Sequence, residues 1–167
     1  FSQGKPVTDP DTTAITTSPY ERVLLNADGY TPLSHKTTLM LGMQGGVNFN
    51  YQRHLMNEFV VGGLTRMFRN QITFAGLQEG TVYTPSVLAV HAGLRYELFN
   101  NTYLTGRANM LLTNFVSKSN FFQNPDFMTG YALTFAYNFA LGPLEISAMY
   151  SDQSKHFGTY INLGIAF

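Results

Sequence analysis

A period of two recurs along most of this chain, and charged residues keep to one of its two parities. That pattern limits the possible folds more than any other feature. Tyr131, Leu133, Phe135, Tyr137 and Phe139 fall on one parity, and Gly130, Ala132, Thr134, Ala136 and Asn138 on the other. Successive side chains of a β-strand point to opposite faces, whereas a helix would mix the two sets around its circumference. The stretch from Phe127 to Leu144 carries no charge and approaches the length of a membrane-spanning helix. Its alternation, Asn138 and the Gly142-Pro143 pair argue for strand instead.

The same alternation appears in five further places. Leu39, Leu41, Met43, Val47 and Phe49 oppose Thr38, Met40, Gln44 and Asn48; Leu88, Val90, Ala92, Leu94, Tyr96 and Leu98 oppose Ala89, His91, Gly93, Arg95 and Glu97. Leu104, Gly106, Ala108, Met110 and Leu112 oppose Tyr103, Thr105, Arg107 and Asn109. Leu144, Ile146, Ala148 and Tyr150 alternate with Glu145, Ser147, Met149 and Ser151, and Ile161, Leu163, Ile165 and Phe167 with Tyr160, Asn162, Gly164 and Ala166. Strands are therefore expected at roughly 36–50, 85–99, 102–115, 129–141, 144–152 and 158–167. Asn100-Asn101 and Gly142-Pro143 read as short turns at one end. The links between 115 and 129 and from Asp152 to Gly158 are longer and polar. Short turns at one end and longer loops at the other are the habit of outer-membrane barrels. Strands of about 9 residues or more also suit a tilted bilayer crossing better than a soluble sheet.

The position of the charges decides between lipid and water. Arg95, Glu97, Arg107 and Glu145 all lie on the small-and-polar parity, and the Leu, Val, Phe and Tyr parity is almost free of ionisable groups. On the lipid face of a barrel a charge costs a few kcal/mol at mid-depth, while the lumen tolerates it. A soluble sandwich would place Lys and Glu where this chain has Gly, Thr, Ala and Asn. Only 12 % of residues are charged although 44 % are hydrophobic, and 14 Phe and 10 Tyr suit interfacial girdles, as at Phe99, Tyr103, Tyr150 and Tyr160. The expected fold is all-β, an antiparallel transmembrane β-barrel of the bacterial outer membrane, with about six to eight strands in this chain.

Several function classes drop out. Ten basic and ten acidic side chains leave no electrostatic footprint for nucleic acid, and few charges with many aromatics argue against disorder. There is no cysteine, hence no thiolate metal site or nucleophile. His35, His54, His91 and His156 lack metal-ligand spacing, and His91 reads as a lumen-facing filler. Asp152, Ser154 and His156 could imitate a hydrolase trio, but residues two apart on one strand point in parallel. No G-x-S-x-G elbow and no phosphate-binding glycine motif is present. No catalytic residue, metal or cofactor is expected.

Ile161, Leu163, Ile165 and Phe167 form an alternating end that is similar to the targeting strand of bacterial outer-membrane barrels. That likeness implies the barrel assembly machinery as a partner during insertion. Residues 57–80, NEFVVGGLTRMFRNQITFAGLQEG, hold Gly62-Gly63, Arg66 and Arg69 without lasting alternation. The stretch resembles the inward-folded loop of the surface-antigen barrels, a superfamily of outer-membrane assembly factors and two-partner secretion transporters. It is most similar to the barrel fused behind patatin-like phospholipases in Bacteroides-type bacteria, where "GG…F-x-N-x-I-x-F-x-G-L" recurs. Five strands follow the loop there, as they are expected to here. The resemblance spans roughly residues 36–167 and implies that Gly62, Gly63, Arg66 and Arg69 enter the lumen, with Glu97 a candidate partner for Arg69. The alternative, solvated loop charges, stays open. The superfamily pairs the loop Arg with Gly and an aromatic, whereas Asn70 follows Arg69, which weakens a role in active insertion or export.

Residues 1–35, rich in Thr, Pro, Asp and Ser, read as a polar loop or linker with room for one short strand near 20–30. About six strands would leave edges open to lipid, where unpaired backbone groups find no water. Three solutions are open. The chain belongs to a larger, sixteen-stranded barrel, as the non-Met start and the family position favour; or it closes as a small barrel; or it closes with a partner chain. The expected function is a membrane anchor or translocation-type barrel for a patatin-like lipase domain outside this sequence. The alternative is a small complete barrel acting as an accessory subunit of an outer-membrane complex. Expected partners are outer-membrane lipid and an oligomer or larger envelope assembly.

Overall fold

The computed structural model describes residues 21–49, 58–67, 69–116, 125–140 and 142–164. Seven long strands form one antiparallel sheet in the order β1-β2-β6-β7-β8-β9-β10. They are β1 (Glu21–Pro32), β2 (Thr37–Phe49), β6 (Ser86–Phe99), β7 (Thr102–Thr113), β8 (Asp126–Phe139), β9 (Gly142–Ser151) and β10 (Phe157–Leu163). Three short strands, β3 (Phe59–Val61), β4 (Gln71–Ile72) and β5 (Val82–Thr84), make a second sheet in the order β4-β3-β5. No described helix is long and apolar enough to cross a membrane.

Residues 21–32, left between loop and short strand by the sequence, form a 12-residue strand paired along its length with β2. Its alternation is blurred by Leu24-Leu25, and pairing with β2 imposes the extended conformation. Gly142 and Pro143 are not the turn. They open β9, where Pro143 stands opposite Asn138. A proline lacking an N–H is tolerated at a strand's beginning. The Asn100-Asn101 turn stands as expected, with Asn101 at φ 63°, a conformation that asparagine tolerates better than most residues. A register shift between Glu97 and Phe99 puts a bulge beside it.

The register carries the parity across the whole sheet. One outward row runs Thr31–Leu39–Leu94–Gly106–Leu133–Ala148–Thr159, and its neighbour runs through Leu41, Ala92, Ala108, Tyr131 and Tyr150. This face is open: Leu41 is 52 % and Leu133 53 % exposed, and Phe135, Ile146 and Ile161 are exposed too. Asp28, His91, Arg95, Glu97, Arg107 and Glu145 share the opposite face, and Glu21 at the far end of β1 is the strands' only outward charge among described residues. On β8, the outward set from Phe127 to Tyr137 spans about 33 Å of strand. At the tilt usual for barrels this is roughly 24 Å of membrane, close to the ~25 Å apolar band of outer-membrane barrels.

The connections separate by end. Residues 33–36 and 100–101 are tight turns, and Leu33 N–H bonds to the Thr37 carbonyl at 2.9 Å; β8 and β9 are joined at this same end. The longer connections, after β2, β7 and β9, start from the other end. In the first of them, residues 58–67 and 69–85 fold back over the inner face.

Candidate functional site: the inward loop on the inner wall

The loop from 58 to 84 owes its shape to its own side chains. β3 pairs parallel to β4 and antiparallel to β5, and Phe74 and Gly63 form a further bridge. Gln71, buried, acts as a clasp: its Nε2 donates to the carbonyls of Gly62 (2.8 Å) and Thr65 (3.2 Å), and its Oε1 accepts from the Met67 N–H (2.7 Å). Gly62 and Gly63 take φ of +128° and +78°, where a Cβ is strained, so the reversal after β3 depends on glycine. The Gly63 N–H then reaches the Leu77 carbonyl at 2.9 Å.

The loop then packs onto the inner wall. Phe59, Val61, Ile72, Phe74 and Leu77 form a core with Val87, Ala89 and Leu111 of β6 and β7, and Phe59 and Phe74 are fully buried. Inward apolar residues in a lumen need such cover, because they would otherwise face water. A second contact joins Ala75 to Ala132 and Met149, with Leu64 and Tyr160 packed alongside.

Backbones touch where the wall has no side chain. A Cβ at Gly130 would fall on the Ala75 carbonyl, and one at Gly76 on the Tyr150 carbonyl. Amide side chains complete the attachment. Gln44 Oε1 accepts from the Thr73 N–H (3.1 Å) and hydroxyl (3.2 Å). Asn109 accepts from the Ala75 N–H (2.7 Å) when its amide is oriented to satisfy its neighbours. Ser154, in the β9–β10 turn, donates to the Gly76 carbonyl at 3.4 Å.

Below Leu64 a small polar cavity of about 50 Å³ is lined by Arg95, Thr105, Arg107, Thr134, Ala136, Glu145 and Ser147. Several of its groups are engaged. Arg95 Nε donates to Thr105 (3.4 Å) and its guanidinium lies over Tyr103, the Thr134 and Ser147 hydroxyls share a 2.7 Å hydrogen bond, and Glu145 accepts from Asn162 at 3.2 Å. The cavity has room for a water or two.

The candidate residues fall in different places. Gly62 and Gly63 are buried in the loop's reversal, whereas Arg66 and Arg69 are exposed, with Arg66 Nη2 donating to the Arg69 carbonyl. Glu97 lies on the inner face of β6, and no ion pair joins it to Arg69 among the described residues. Ile161 and Leu163 stand outward on β10, while Ile165, Phe167 and His54 lie outside the described residues. His91 pairs with Asp28 across Gly42 at 3.4 Å. Ser154 donates to carbonyls and the Asp152 carboxylate accepts from Thr129, so the 152–156 trio closes a turn. No cluster of His, Cys, Asp or Glu among the described residues could hold a metal.

Gln44, Gln71, Asn109, Gly76 and Gly130 hold the loop, and of these only Gly76 stands out in the sequence, as the glycine of the recurring F-x-N-x-I-x-F-x-G-L pattern. Gln44, Asn109 and Gly130 were visible only as members of the inward parity.

An apolar outer face, a polar inner face and a loop docked inside define a wall of an outer-membrane β-barrel. The sequence profile described as the OMP85 superfamily matches residues 19–167, and the chain belongs to that superfamily. No curated protein matches the chain.

Proposed function

We propose that this barrel wall anchors or presents a patatin-like lipase domain carried on the same polypeptide, with the loop at 58–84 closing part of the lumen. The supporting observation is the attachment of the loop. Backbone-to-backbone contacts at Gly130 and Gly76, together with a buried apolar core, suit a fixed plug more than a gate that must open for cargo. A membrane anchor needs a closed wall and no catalytic group of its own. The pattern within 57–80 that resembles the patatin-fused barrels points to the same role.

A second reading, an accessory subunit of an envelope complex, draws on the sheet edges. Neither β1 nor β10 has a second partner strand among the described residues, and strand edges are not left open to lipid. Strands of the same polypeptide or of another chain must cover them. The intact mass of the native polypeptide extracted from outer membranes separates the two. A mass several-fold above 18.6 kDa, with esterase activity on the same band, supports the anchor. A mass near 18.6 kDa overturns it in favour of the subunit.

A further inference from the structure

The polar cavity below Leu64 is bordered by charges that do not pair with one another. Arg95, Thr105, Thr134 and Ser147 stand in one inward cross-strand row; Arg107 lies in the row on its loop side and Glu145 in the row on its tight-turn side. Both arginines and Glu145 are half-buried. Among the described residues, no ion pair joins either guanidinium to Glu145. Asp28, another carboxylate within electrostatic reach of Arg107, is paired with His91.

The donors of the two arginines are as little used as their charges. A guanidinium carries several N–H donors in a fixed fork and no acceptor. Arg95 uses its Nε–H on Thr105, at 3.4 Å, and Arg107 makes no hydrogen bond to a described residue. Small residues, Gly93 and Ala132, stand opposite Arg107 on β6 and β8 and offer it no partner. Half-buried donors left unpaired are costly, and so are two like charges side by side. An anion seated between the guanidiniums removes both costs.

We propose that this cavity binds one inorganic phosphate. Guanidinium forks match phosphate oxygens in geometry and charge. Glu145 then sets the selectivity. An ionised carboxylate only accepts hydrogen bonds, so it repels an oxyanion that has no proton to give. Inorganic phosphate keeps at least one P–OH at neutral pH and donates it to Glu145. Sulfate has none, and neither has the phosphodiester of a phospholipid. A phosphomonoester loses its last proton at about pH 6 and is likewise disfavoured. Size agrees, since about 50 Å³ takes a group with the bulk of two waters, roughly 30 Å³ each, and leaves no room for a substituent. Toward the tight-turn end the described loop leaves the inner wall uncovered, with Asn138 exposed, which gives the anion a way in.

The test is equilibrium dialysis of radiolabelled phosphate against the detergent-purified protein, expressed from its full reading frame, at about pH 7.5, well above the last proton of a monoester. Unlabelled phosphate, sulfate and glycerol phosphate compete at matched ionic strength. Phosphate is expected to saturate at one per chain and to compete about tenfold or more better than either rival, the worth of one hydrogen bond to a charged group. Arg107→Gln is expected to weaken phosphate binding by a similar factor. Glu145→Gln is expected to bring sulfate level with phosphate, because an amide can donate to either. Equal competition by sulfate in the unmodified protein overturns the site, leaving only general screening of the guanidiniums. Equal competition by glycerol phosphate overturns the free anion as the ligand. Absence of saturable binding overturns the proposal outright, by showing that water or other strands of the barrel serve these donors. A preference that survives in Glu145→Gln overturns the selecting role of that carboxylate. Should Arg107→Gln fail to fold, the preference of the unmodified protein and its loss in Glu145→Gln decide.

Discussion

The two faces of the long sheet are built from the same strands and obey opposite rules. Outside, large apolar side chains stand exposed: Leu133, Phe135 and Tyr137 on β8, Ile146 on β9. Inside, many of the most buried positions are small and polar, among them Thr113, Ser147 and Ser151. In a water-soluble sheet this would be inverted. The contrast teaches that exposure is a property of the solvent a face meets. Hydrocarbon accepts leucine freely and rejects charge, whereas a narrow interior rewards small residues that let backbones approach.

The largest break in that contrast is expected inside. Phe74→Ala removes a fully buried ring from the seam between loop and wall. It should cost about 3–5 kcal/mol in loop docking, as Phe→Ala does in cores. Limited trypsin digestion should then cut faster after the exposed Arg66 and Arg69. Unchanged cleavage would mean that the apolar core does not hold the loop.

Next is a charge on the wrong face. Leu133→Arg places a guanidinium at mid-belt and should destabilise the inserted barrel by about 2–4 kcal/mol in reversible denaturant titrations from lipid vesicles. Thr134→Arg, one residue along and inward, should cost clearly less. Equal costs would show that parity does not separate lipid from lumen here.

A smaller effect is expected at the close approach. Gly130→Ala pushes a methyl onto the Ala75 carbonyl and should cost about 1–3 kcal/mol, as overpacking does. Hydrogen exchange should speed up at Ala75 and its neighbours and stay unchanged at β1. The smallest belongs to Asp28→Asn. Its carboxylate is partly exposed beside His91, and losing the pair should cost less than about 1 kcal/mol, read as faster exchange confined to β1. Exchange rising over the whole sheet would give this pair a global role.

Legibility followed the range of the interactions involved. β2, β6, β7, β8, β9 and β10 lie within a few residues of where alternation put them, because parity is local and each strand meets lipid on one side. β1 was harder to read. Leu24 and Leu25 break its alternation, and its inner face is only partly covered: Arg22 reaches Asn48 and Phe59, while Tyr30 stands 62 % exposed. β3, β4 and β5 were invisible, since strands of two or three residues carry no period. The inward course of the loop came from a family likeness, and its mode of attachment from neither likeness nor period.

By itself, then, the sequence determined the strand parity, the confinement of charge to the inner face and hence a wall for lipid. These follow from which side chains alternate along a single strand. Only the tertiary structure decided that Gly130 meets Ala75 and that Gln44 and Asn109 receive the loop. Each of those depends on which residues stand opposite one another. Register between strands far apart in the chain sets that, and no local pattern encodes it.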